Sequence, residues 1–128
     1  MSVNGIASAS SSVPALLTAS GVEGQKTGLI FVGLQQSALP WAPGSSSFFC
    51  VKTPTVRLPP AQSSGGTAGQ CDGTLAADIN AYVQASSGVL LGQPVVSGLA
   101  FNAQGWFRDP PAPKATNLTN GVNVTFCP

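Results

Sequence analysis

The sequence predicts an all-β protein: an antiparallel β-sandwich, of jelly-roll or Ig-like type, with about seven or eight short strands. Three observations predict it. Short apolar or alternating segments recur at roughly ten-residue spacing, with Gly, Pro, Ser or Asn between them. Charged residues make up only 7% of the chain, while 15 Gly and 11 Pro supply turns. From Ser97 to Arg108 the residues alternate strictly, with Leu99, Phe101, Ala103, Gly105 and Phe107 on one face and Ala100, Asn102, Gln104, Trp106 and Arg108 on the other. At 128 residues the chain is expected to form one domain, residues 1–128, large enough to bury a core.

Taken in order, Val3–Ser10 reads as a first edge strand, and Val13–Ser20 as a second, with Pro14 near its start. Gly21–Gln25 is a turn. Thr27–Leu34 holds the continuous apolar run Leu29–Val32, which predicts a central strand covered on both faces. Gln35–Ser47 reads as a loop carrying Trp41 between Pro40 and Pro43. Phe48–Val51 and Thr55–Leu58 read as two strands broken at Pro54, and Pro59–Gln70 as a long loop. Cys71–Tyr82 alternates, so it is expected to be a strand; a helix over Leu75–Ala85 competes, because apolar residues also fall at helical spacing there. Gln84–Val96 reads as a loop and Ser97–Arg108 as the longest strand. The proline-rich connection Asp109–Ala115 cannot continue a ladder, since proline has no N–H to donate. Asn120-Gly121 signals a tight turn before a last strand lined by Val122, Val124 and Phe126. No period of about 20–50 residues repeats, which excludes a solenoid.

Composition removes several functions. A net charge of +1 with no basic run gives no electrostatic footprint for nucleic acid. No apolar run approaches the ~20 residues that span a bilayer, so no membrane span is expected. There is no histidine and no Cys-x-x-Cys, so no metal site and no cofactor is expected. The segment Gly21–Thr27 superficially resembles a phosphate loop, but Gln25 separates Gly24 from Lys26 and a strand follows. Serines lack both a G-x-S-x-G setting and a histidine base. Asp78 and Asp109 are the one acid pair to test for glycoside hydrolysis, against the plainer reading of solvated or turn-capping acids. Asp72, Asp78 and Asp109 are oxygen donors for calcium without any EF-hand loop to organise them. No catalytic residue is assigned, and the chain is not expected to be an enzyme.

The three cysteines, Cys50, Cys71 and Cys127, suggest one disulfide and one spare thiol in an oxidising compartment. Cys50–Cys71 is the preferred pair, stapling the loop between them, with Cys71–Cys127 second and three free cysteines the alternative. The opening Met1–Ser10 lacks the basic and apolar segments of a signal peptide. A secreted chain of this kind is therefore expected to be a piece of something longer.

Aromatic residues are the best binding candidates. A ring exposed beside amide or guanidinium donors lets a β-sandwich stack a sugar ring and bond its hydroxyls. Trp106, between Gln104 and Arg108 on one strand face, fits that pattern, as does the loop residue Trp41. The plainer reading puts Trp106 in the core or over a sheet and leaves Trp41 packing its own loop.

The run Asn102-Ala103-Gln104-Gly105-Trp106-Phe107-Arg108-Asp109-Pro110, followed by Thr116-Asn117-Leu118-Thr119-Asn120-Gly121 and Val124-Thr125-Phe126-Cys127-Pro128, resembles a C-terminal domain of many large secreted proteins of Planctomycetes and similar bacteria. Those domains show Q-x-W-[YF]-R-D, then N-[LF]-[ST]-[ND]-G, then a closing apolar strand. Leu17–Gly21 and Thr27–Gly33 look like the paired early strands of that family, and Cys50 falls where its members often carry a cysteine. The resemblance implies a non-catalytic β-domain attached to varied secreted proteins. It also implies that Gln104, Trp106, Arg108 and Asp109 form a structural network, Gln104 bonding backbone and Arg108 with Asp109 fixing the strand end. A bacterial source gives no meaning to the glycosylation patterns at Asn117 and Asn123. The expectation is a secreted or cell-surface module for attachment, display or sorting. Its partners are the rest of a larger protein and a polysaccharide or cell surface; the alternative is a carbohydrate-binding module using Trp41 or Trp106.

Overall fold

Nine strands and one short helix make up the computed structural model, which describes residues 1–128. The strands are β1 (Ser2–Asn4), β2 (Leu16–Val22), β3 (Thr27–Pro40), β4 (Phe48–Ser63), β5 (Gly73–Asp78), β6 (Val89–Leu90), β7 (Gln93–Pro94), β8 (Ala100–Arg108) and β9 (Thr116–Thr125). Helix α1 spans Ile79–Ala85. One sheet has the order β1-β2-β5, a second β4-β3-β8-β9, and β6-β7 is a two-residue ladder. Every ladder between named strands is antiparallel. The architecture is all-β and sandwich-like, as the alternating segments predict.

The core lies between the two main sheets. Leu17, Ala19, Leu75 and Ala77 face Ile30, Val32, Leu58, Phe101, Ala103 and Val124, with Ile79 and Val83 of α1 closing one end. Phe101 and Phe126 pack with ring centroids 4.9 Å apart. Small residues let the sheets approach closely. A Cβ added at Gly105 lies 3.1 Å from the Cβ of Ala19, and one at Gly28 lies 2.7 Å from Leu75 Cδ1.

The distal half of the β3–β4 hairpin folds back over the outer face of the four-stranded sheet. Register shifts between Gly33 and Gln35, and between Gln36 and Leu39, bend the ladder. Residues near the hairpin tip therefore meet β8 and β9 rather than extending into solvent: Trp41 bonds Thr116, and Phe48 and Cys50 bond Gln104. Under this flap sits a second, small core of Phe31, Val51 and Leu118. Gly33 is required there, because an added Cβ lies only 2.5 Å from Val51 Cγ1.

Several expectations are corrected. The alternating segment Cys71–Tyr82 is a strand only to Asp78. There the Asp78 carboxylate accepts hydrogen bonds from the N–H groups of Asn80 and Ala81, an N-cap that switches the chain into α1. Pro54 does not break the fourth segment: β4 runs unbroken for 16 residues, because it is a sheet edge and Pro54 falls at a register shift where no ladder N–H is needed. The loop expected over Gln35–Ser47 shrinks to the hairpin tip after Pro40. The longest strands are accordingly β4 and β3, and not the nine-residue β8. Asn120-Gly121 is not a turn; it lies within β9, where the ladder with β8 shifts register between Gln104 and Trp106.

No disulfide forms: Cys50, Cys71 and Cys127 are all free thiols. The expected Cys50–Cys71 pair fails because Cys50 stands at the start of β4 and Cys71 follows its far end. The fold holds Cys50 against Gln104 under the flap, while Cys71 lies past the end of β4 that pairs with Thr27, so the two thiols are not brought together.

Candidate functional site

On the outer face of the four-stranded sheet, β8 presents Trp106 beside Leu29 of β3, its ladder partner. The folded-back hairpin brings Trp41 to the same place, 65 positions away in sequence. Leu29, Phe31, Trp41, Phe49, Thr55, Arg57 and Trp106 line one groove of about 170 Å³. Its walls are the two half-buried indoles and its floor is apolar. Phe49 ties the walls to the floor, its ring 5.8 Å from Phe31 and 5.9 Å from Trp41.

Both tryptophans are held in place. Trp41 Nε1 donates to Thr116 Oγ1 at 3.0 Å, and the Trp41 N–H donates to the Ser47 carbonyl. The ammonium of Lys114 lies 4.2 Å from the Trp41 ring centroid, and the Arg108 guanidinium carbon 5.9 Å from that of Trp106. Lys114 reaches its ring from a short 3-10 turn, Pro113–Ala115, in which Lys114 has φ 64° and Ala115 φ 54°. Left-handed backbone is uncommon for residues with a side chain and is tolerated where the surroundings hold it.

Of the residues singled out by sequence, the structure joins Trp41, Trp106 and Arg108 at this groove and assigns Gln104 and Asp109 elsewhere. Gln104 is fully buried beneath the flap. Its Nε2 donates to the carbonyls of Phe48 (2.7 Å) and Thr119 (2.6 Å), and its Oε1 accepts from the Cys50 N–H at 3.0 Å. It ties β4 and β9 to β8 and offers nothing to a ligand. Asp109 accepts from Asn117 Nδ2 at 3.2 Å, and its N–H donates to the Ala115 carbonyl, so it shapes the β8–β9 connection. Arg108 forms no ion pair with it; the molecule's single salt bridge is Lys26–Glu23.

Sequence reasoning missed Arg57 and Lys114, and named Phe49 only as one of the aromatic residues in general. A period-2 reading of Thr55, Arg57 and their neighbours places Arg57 on the outer face, but the fold-back that makes this face a groove leaves no local sign. The remaining acids are engaged singly. Asp78 caps α1 and also accepts from the Ala15 N–H. Exposed Asp72 accepts from the Thr67 N–H at 2.8 Å, and that bond lowers its pKa below the usual 3.8. No three His, Cys, Asp or Glu groups lie together. A neighbouring depression of about 210 Å³, lined by Gln36, Ser37, Cys50, Asn102 and Asn123 among others, has no aromatic or charged side chain.

No helix is long and apolar enough to cross a membrane. Comparison with protein-family models, with curated proteins and with solved structures gave no match.

Proposed function

We propose that this chain is a non-catalytic, extracellular β-sandwich module that attaches a larger secreted protein to polysaccharide, with the Trp41–Trp106 groove as the binding site. One observation carries the reading: two tryptophans far apart in sequence are brought to one apolar groove whose edge bears hydrogen-bonding groups, Thr55 and Arg57. Apolar sugar faces stack on indole rings, while hydroxyls take bonds from the edge. The groove suits one or two sugar rings of a longer chain. The non-catalytic part rests on the acids, each committed to a local backbone bond, a side-chain amide or an ion pair. The attachment role and the secreted or cell-surface location rest on the resemblance of the Gln104–Asp109 region to accessory domains of secreted bacterial proteins. They draw no support from disulfides.

The test is tryptophan fluorescence titrated with soluble polysaccharides. Quenching or a blue shift, lost in a folded Trp41→Ala variant, supports the reading. No response across a broad glycan panel sinks it.

A further inference from the structure

The groove carries a concentration of positive charge that the molecule as a whole does not. The chain has five cationic side chains and four acidic ones. Three of the five cations surround this one groove: Arg57 lines it from β4, Arg108 lies by Trp106, and Lys114 lies over Trp41. None has an acidic partner. The only ion pair joins Lys26 to Glu23 at 3.4 Å, in the turn between β2 and β3. The other acids keep their charge but none pairs with these cations: Asp78 caps α1, Asp72 accepts from Thr67, and Asp109, next to Arg108 in the chain, accepts from Asn117. Arg57 and Lys114 are exposed and Arg108 is exposed at the end of β8, so all three are accessible to a ligand.

In a chain with so few charges, three unpaired cations at one aromatic groove set its preference. We infer that the groove takes polysaccharides whose sugar rings carry anionic groups, uronate carboxylates or ring sulfates, in preference to neutral chains. This rests on the carbohydrate-binding reading above. A sugar ring seats between the indoles, and its anionic groups meet the cations at the rim. Guanidinium groups suit such oxyanions because their planar fork donates two parallel hydrogen bonds. Lys114 acts as a point charge and exchanges its contact with the Trp41 ring for the ligand's anion.

The experiment uses matched pairs that differ only in charge: oligogalacturonate against its fully methyl-esterified form, and dextran sulfate against dextran. Binding is followed by calorimetry on the whole chain at two salt concentrations. The expected result is at least tenfold tighter binding of one or both charged members, weakening as salt rises. The uronate and sulfate arms distinguish the two anion sources. Arg57→Gln and Lys114→Gln should each reduce the charged-over-neutral ratio severalfold, while Lys52→Gln, which lines a different depression with Gln35 and Pro54, should leave it unchanged. Equal binding of charged and neutral members overturns the inference and leaves the carbohydrate reading standing. An equal loss in Lys52→Gln also overturns it, because attraction to general positive charge then suffices. Binding of no glycan overturns both.

Discussion

Gln104 shows how one side chain can look like a ligand-binding group and serve the fold instead. Its position between an apolar strand face and Trp106 suggests a donor at a binding surface. Its complete burial and three backbone partners make it the bolt that holds the folded-back hairpin to β8 and β9. Gln104→Leu removes three hydrogen bonds to backbone groups of Phe48, Cys50 and Thr119, at a cost of about 3 kcal/mol in urea unfolding. Trp106 divides its role between packing and binding. It is half-buried against the small core of Phe31, Val51 and Leu118. Trp106→Ala should therefore cost about 2 kcal/mol, less than the loss of a fully buried aromatic, together with loss of glycan binding. At Asp72 the folded-state pKa is depressed, so the Thr67 contact contributes fully above the ordinary carboxylate pKa and is lost as pH falls through the lowered value. Amide exchange at Thr67, corrected for its intrinsic pH dependence, should accelerate as pH falls through that lowered value while exchange in β3 and β8 does not.

At the scale of elements, two features escape a local reading for different reasons. The switch from β5 to α1 turns on Asp78. The segment Leu75–Ala85 satisfies both a period of two and helical spacing, and only the cap decides where one gives way to the other. Asp78→Ala removes the bonds to Asn80, Ala81 and Ala15, and should destabilise the fold by about 1–2 kcal/mol. The fold-back of the β3–β4 hairpin is non-local. Its bends come from register shifts, and its cover for Phe31 and Leu118 comes from Trp41, Phe49 and Val51, 10 to 77 positions away. Only Gly33, facing Val51, marks it in the sequence, and the chain has many glycines with other reasons. Gly33→Ala should force Val51 outward and loosen the flap, costing about 1–3 kcal/mol. The loss should appear as increased solvent exposure of Trp41, read by a red shift in its emission.

For the molecule as a whole, the sandwich was legible because its sheets obey simple periodicity. The apolar run Leu29–Val32 is central, with Ile30, Phe31 and Val32 buried and Leu29 half-buried at the groove, and the faces of Ser97–Arg108 divide as their alternation implies, with Phe101 and Ala103 in the core and Asn102, Gln104 and Trp106 opposite. Disulfide pairing was not legible, since it depends on where the ends of β4 lie and not on composition. The fold has no covalent staple and stands on its core and ladders. Thiol titration of denatured, unreduced protein should count three thiols, and a reducing agent should leave Tm unchanged. The groove was half legible. Sequence pattern marks Trp41 and Trp106 as separate candidates, and the fold makes them the two walls of one site. That convergence is the central claim. NMR of ¹⁵N-labelled indoles, titrated with a glycan that binds, tests it most directly. The Trp41 and Trp106 Nε1–H resonances should move together along a single binding curve. Movement of neither resonance, or of one alone, would contradict a shared site.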